Sequence, residues 1–87
     1  MQLSDHSMTL DLSTLYAATN QAKLANLDNY VKAALATVPD GADVTLTGAA
    51  PVWLYLKIGH ALHGHARILT YESPVTGLVE IFNHNPR

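Results

Sequence analysis

Twice along this chain a short run of β-branched or alternating residues gives way to a helix-length stretch and then to another such run. No other feature restricts the fold as much. A strand, a helix and a second strand joined by short turns close into a right-handed crossover, and its two strands lie parallel in one sheet. The first run, Met8–Leu12 (MTLDL), alternates and reads as a strand. Ser13–Thr19 carries no clear period. A helix is expected from about Asn20 to Thr37, where Leu24, Leu27, Val31, Ala34, Leu35 and Val38 fall on one stripe. Lys23, Asn26, Asp28, Lys32 and Thr37 take most of the other side. Pro39-Asp40-Gly41 stops that helix and turns the chain.

Val44–Thr47 (VTLT) is the next strand, and Gly48-Ala49-Ala50-Pro51 breaks it. Pro51 suits the first turn of a helix, where the N–H it lacks would have no partner. The second helix runs to about His63 and ends at Gly64. Arg67–Tyr71 (RILTY) and Leu78–Phe82 (LVEIF) are the last strands, and Ser73–Gly77 is the turn that pairs them as a hairpin. The expected fold is α/β: a small, mostly parallel, Rossmann-like sheet in the order β-α-β-α-β-β with one antiparallel edge strand. With no linker or repeat, residues 1–87 read as a single domain. A core this small buries only about 60% of the unfolded surface. Charged residues are only 14% and hydrophobic ones 48%, which excludes a disordered tail. It also leaves apolar surface to be shared between subunits.

The net charge of -2 excludes a protein held to DNA or RNA by a basic field. The charges are segregated, however. Residues 1–43 carry Asp5, Asp11, Asp28, Asp40 and Asp43 against Lys23 and Lys32; Val44 to Tyr71 has no acid, only Lys57, Arg67 and His60, His63 and His65. An anionic ligand, if there is one, belongs with the second stretch, although so few charges also segregate by chance. The absence of Cys excludes disulfides, thiol catalysis and cysteine zinc sites. Asp5 and His6 interrupt the opening too early for a leader, and the apolar run around Val52–Ile58 is far too short to span a membrane. The expected compartment is the cytoplasm.

In such sheets ligands bind beyond the carboxyl ends of the parallel strands. The segments there are Ser13–Thr19, Gly48–Pro51 and Glu72–Gly77. Thr47, Gly48, Ala49, Ala50 and Pro51 join a strand end to a helix start, with small residues that let phosphate approach the backbone N–H groups. A tight turn alone also asks for small residues. His60 and His63, three apart on a helix, share a face, and such a pair can hold a metal or supply an acid–base group near neutral pH. His65 lies beyond the helix and need not join them. Glu72 follows the strand RILTY, where a carboxylate serves catalysis, metal binding or simply a surface turn. Trp53, Tyr55 and Tyr71 suit a core or an interface, and Tyr55 could also lie beside a nucleotide.

The run from Thr47 to His84 resembles the third and smallest family of ring nucleases associated with type III CRISPR systems. Family members carry a strand, a Gly-x-x-Pro-hydrophobic-Trp-Leu turn into a helix, a His at that helix's end, and a strand ending Tyr-Asp-Pro. Here these read Gly48-Ala49-Ala50-Pro51-Val52-Trp53-Leu54, His63, and Tyr71-Glu72-Ser73-Pro74. The likeness covers residues 44–84, and residues 1–43 follow only in outline. It implies a distant relative of the CRISPR-associated Rossmann-fold domains. It also implies a homodimer, two of which sandwich a cyclic tetra-adenylate ring, and a manganese-dependent phosphodiesterase that cuts this second messenger. His63 and Glu72 then occupy the catalytic and metal positions.

Two departures from the family pattern matter. Ala49 stands where the family has Arg, which removes a bidentate phosphate fork. Backbone N–H groups with Arg67 or Lys57 would have to substitute. Glu72 replaces Asp and moves the carboxylate by about 1 Å, a scale of misplacement worth about 100-fold in rate. An alternative therefore stands beside the nuclease: a sponge or sensor that holds the ring and cuts it poorly. Trp53 and its helix, with the strand Leu78–Phe82, are the expected self-association elements, and ligand is expected to promote a tetramer.

Overall fold

The computed structural model describes residues 7–84; Asp5 and His6, which bear on the leader reading, lie outside them. Strand β1 (Ser7–Asp11) runs into a 3-10 helix (Leu12–Tyr16), and a second 3-10 turn (Leu24–Asn26) leads into helix α1 (Leu27–Thr37). Then follow β2 (Asp43–Thr47), α2 (Val52–Leu62), β3 (Ile68–Ser73) and β4 (Gly77–Asn83). The strands lie side by side in the order β1-β2-β3-β4. β1 pairs β2 and β2 pairs β3 in parallel, while β4 is antiparallel to β3. The expected α/β sheet with one antiparallel edge is the fold.

Alternation explains the layering. Leu10, Val44, Leu46 and Leu69 point to one side of the sheet and are buried. They pack in one cluster with Tyr30, Ala34 and Val38 from α1 and its end, and with Leu54, Ile58 and Leu62 from α2. Each such side chain contributes about 1.5–3 kcal/mol when taken out of water. The two helices also touch each other, so both lie on this one face. Across the other face runs a row of paired threonines, Thr9–Thr45–Thr70, none of them buried. The molecule therefore has two layers rather than three.

Three local expectations are corrected. Helix α1 starts at Leu27, not near Asn20, and Leu24 is 65% exposed. Ala34 and Val38 of the expected stripe are buried, Leu27, Val31 and Leu35 pack against them, and Tyr30 joins the buried set. Tyr30 wins the inward place because its hydroxyl accepts the Lys23 N–H at 2.9 Å, so the large ring is buried with its polar tip satisfied. Second, Pro51 is the residue that caps α2 rather than its first turn, with extended backbone at φ -65° and ψ 152°. Third, β3 reaches Ser73, so Glu72 lies inside the strand opposite Leu78 rather than after its end. The hairpin stays paired as far as Ser73 and Gly77, whose turn is held by Ser73 Oγ accepting from Val75 N–H at 3.1 Å.

One irregularity interrupts the β3–β4 ladder. Leu69 faces Phe82 while Thr70 faces Glu80, so Ile81 is an extra residue without an opposite number. Among the described residues no helix is long and apolar enough to cross a membrane.

Candidate functional site

The carboxyl ends of β2 and β3 open onto a cleft of about 540 Å³. Thr47, Gly48, Ala49 and Ala50 form one wall, and Tyr71, Glu72, Ser73 and Pro74 form the other. Val52 and Tyr55 of α2 close it from the helix layer. The turn 48–51, Tyr55 and Glu72, singled out separately along the sequence, thus meet in one place. Pro51, the cap of α2, borders it. Among the described residues no side chain caps the N-terminal end of α2. Its first N–H groups and the positive end of its dipole open at this edge.

The turn is rigidly built. Gly48 has φ +104°, a region L side chains rarely adopt. A Cβ there would also collide with the Asp11 carboxylate. Asp11 is itself fixed, its Oδ1 accepting the Ser13 N–H at 2.9 Å and the Ser13 hydroxyl at 2.7 Å. Two tyrosines hold the turn's carbonyls: Tyr55 donates to Gly48 O at 2.6 Å, and Tyr16 donates to Ala49 O. With their carbonyls engaged by the protein, these peptide units keep a fixed orientation toward the cleft. Tyr55 packs edge-on against Tyr71, ring centres 5.0 Å apart. Burial raises the Tyr55 ionisation above its ordinary value, and the nearby Tyr71, Asp11, Tyr16 and Glu72 push it the same way. Tyr55 is therefore a neutral donor throughout the physiological range.

His63 lies elsewhere. It caps the C-terminal end of α2, and α2 runs back along the sheet, so His63 sits at the edge where β3 begins. Its ring stands 5.2 Å from Phe82 and 4.8 Å from His84. Phe82 is opposite Leu69 at the start of β3, whereas Glu72 is three residues further along. At about 3.3 Å per residue that is roughly 10 Å of strand. His63 and Glu72 of one chain do not share a site. His60 and His63 do share a face, as their spacing predicts, on an apolar groove of about 600 Å³ between α2 and β4. Leu56, Val52 and Ile81 line the same groove and are 69%, 73% and 55% exposed.

The remaining candidates sit outside the cleft. Arg67 precedes β3, at the amino end of the strands, and forks Asp43 with contacts of 2.9 and 2.7 Å. The hydrogen bond to Asp43 and its charge raise the Arg67 ionisation further above its ordinary value. It is not placed to replace the arginine missing at Ala49 in its own chain. Lys57 is exposed on α2 and does not line the cleft either. His65 is held by its own contacts, its Nε2 lying 2.6 Å from Val38 O and its Nδ1 3.7 Å from Asp40.

Sequence reasoning named the strand-end segment Ser13–Thr19 but singled out neither Tyr16 within it nor Asp11 just before it. It also passed over His84, which no periodicity ties to His63. Residues 19–87 match the family model described as CRISPR-associated protein (Cas_csx3). No curated protein and no solved structure matches the chain.

Proposed function

The chain belongs to the CRISPR-associated protein family Cas_csx3, and from that premise we propose that it is a ring nuclease. It binds the cyclic tetra-adenylate messenger of type III CRISPR signalling and cuts it, switching off the effectors that the messenger activates. The observation that carries this reading is the convergence of the Gly48 turn, the uncapped start of α2, Tyr55 and Glu72 on one cleft. Backbone N–H groups at a helix start suit a phosphate. The tyrosine faces beside them suit a nucleobase.

Glu72 lines the same cleft and repels phosphate unless a cation lies between them. That supports the divalent metal, manganese by resemblance, with Glu72 as an oxygen ligand. One chain does not fit a complete metal site: among the described residues, no three His, Asp or Glu side chains gather closely enough. Under this reading His63 acts on a ring held by another copy, because in its own chain it faces away from Glu72. Association is therefore part of the function, as a homodimer with a ligand-promoted tetramer. The exposed apolar surface of α2 and β4 supports such association.

A specific observation also supports the second reading, a sponge or sensor. The cleft lining holds no Lys or Arg, and the two catalytic positions are separated within a chain. Labelled cyclic tetra-adenylate incubated with the protein, with and without manganese, distinguishes the two. Linear products establish a nuclease. Intact ring in a tight complex establishes a sponge, and no association sinks both.

A further inference from the structure

We propose that Tyr55 makes the cleft selective for ribose over deoxyribose: its hydroxyl oxygen accepts a hydrogen bond from a ribose 2′-hydroxyl of the bound adenylate. The proposal rests on the ring-binding reading above, and it holds whether the adenylate is cut or only held. Its first support is where the oxygen sits. Tyr55 and Gly48 both line the cleft. The Tyr55 hydroxyl lies 2.6 Å from Gly48 O, against the turn that forms one wall. The phenol packs edge-on against Tyr71, ring centres 5.0 Å apart, which restricts its swing away from that wall.

The second support is hydrogen-bond chemistry. A tyrosine hydroxyl has one proton to give and lone pairs that accept. Here the proton is committed to Gly48 O, and burial together with the nearby Tyr71 keeps the phenol neutral. Among the described residues no N–H or O–H donates to this oxygen. Tyr55 therefore meets a ligand as an acceptor alone. Neighbouring acceptors are already engaged: Ala49 O by Tyr16, and Ser73 Oγ by the Val75 and Thr76 N–H groups at 3.1 and 3.2 Å. A phosphate oxygen, which also only accepts, makes no bond to Tyr55. The ligand has to bring a donor.

The third support is which donor reaches it. An adenylate joined through its 3′ and 5′ oxygens carries two kinds, the ribose 2′-hydroxyl and the adenine amine. The 2′-hydroxyl stands on the carbon next to the one that bears the 3′-phosphate, whereas the amine lies at the far edge of the base. With phosphate at the Gly48 turn, the hydroxyl is the donor near an oxygen seated on the Gly48 carbonyl. A deoxyribose in its place leaves the Tyr55 oxygen desolvated and unpaired. A site built around a ligand hydroxyl rejects the analogue without it for this reason.

Filter binding of labelled cyclic tetra-adenylate and of its all-2′-deoxy analogue tests the proposal, with manganese present and the bound material checked for intact ring. The unaltered chain should prefer the ribose form by about tenfold or more. Tyr55→Phe should shrink that preference at least about fivefold. The same variant frees Gly48 O and so weakens both ligands alike, which makes the ratio, not the affinity, the readout. Tyr16→Phe is the control: it frees Ala49 O, keeps the Tyr55 oxygen, and should weaken both ligands with the preference retained. Circular dichroism melting checks that each variant folds. Equal affinity of the unaltered chain for the two ligands overturns the proposal and leaves the ring-binding reading standing. So does a folded Tyr55→Phe that keeps the full preference, or one that loses instead a preference for adenine over hypoxanthine in the same ring. Binding of neither ligand by the unaltered chain sinks the ring-binding reading and this proposal with it.

Discussion

Replacing Gly48 probes the cleft through its most constrained atom. Two costs follow from the structure. At φ +104° any side chain strains the backbone by about 1–3 kcal/mol. The new Cβ also meets the Asp11 carboxylate and lies 3.2 Å from Leu12 N. Asp11 must then swing away from Ser13, giving up the 2.9 and 2.7 Å hydrogen bonds that cap the 3-10 helix. Loss of such a cap costs about 0.5–2 kcal/mol. Gly48→Ala should therefore destabilise the chain by about 2–4 kcal/mol, and in a domain of this size about 10–20 °C in melting temperature. A β-branched residue should cost more and abolish ring binding. The assay is urea unfolding followed by circular dichroism, run on Gly48→Ala, Asp11→Ala and the pair. Removing the Asp11 carboxylate first should make the glycine replacement cheaper, by about 1 kcal/mol of coupling. Gly48→Ala within about 0.5 kcal/mol of wild type, or strict additivity in the pair, would refute the reasoning.

Three further outcomes are expected. His63→Ala should lower ring cleavage by about 100-fold with binding largely kept, and Glu72→Gln should do the same with weaker manganese dependence; a discontinuous assay of linear products against filter binding reads both. Leu56→Asp, on a side chain 69% exposed in the single chain, should leave the melting temperature within a few degrees yet shift sedimentation from dimer to monomer; an unchanged sedimentation profile rules out the α2 face as the interface. Tyr55 ionises above its ordinary value in the folded chain, so its contribution is complete below about pH 10 and is lost as pH rises through the folded value; Tyr55→Phe should flatten the alkaline fall in stability, and identical alkaline slopes would contradict this.

The strand and helix order was legible because each element carries its own period. VTLT alternates, and Leu54, Ile58 and Leu62 recur every four residues. The Gly48 turn was legible from composition, since only small residues sit between β2 and Pro51. Its reason was not: the constraint is Asp11, 37 positions earlier in the chain, brought up by parallel pairing of Asp11 with Thr47. The α1 stripe was legible through Ala34 and Val38, which are buried; Tyr30, outside that stripe, joins them because its hydroxyl finds the Lys23 N–H. His63 and Glu72 lie apart within one chain for a directional reason. A helix that returns between parallel strands ends where the next strand starts, so a residue at its C-terminal end and one near that strand's carboxyl end are a strand's length apart.

The unpaired Ile81 has a consequence for how the protein behaves in concentrated solution. β4 is an outer strand whose Leu78, Val79 and Ile81 are all exposed, which is the composition of a template for runaway sheet growth. A regular strand of that kind accepts a neighbour along its whole length. The extra residue breaks the even spacing of β4's ladder with β3 after four paired positions, Gly77 to Glu80, and a bulge there bends the strand and increases its twist. Glu80 adds a charge beside the break. An incoming strand can match the ladder on one side of Ile81 or the other but not through it. The break at Ile81 is therefore expected to slow strand addition along β4, and healing it by Ile81 deletion should raise the rate of thioflavin-positive aggregation.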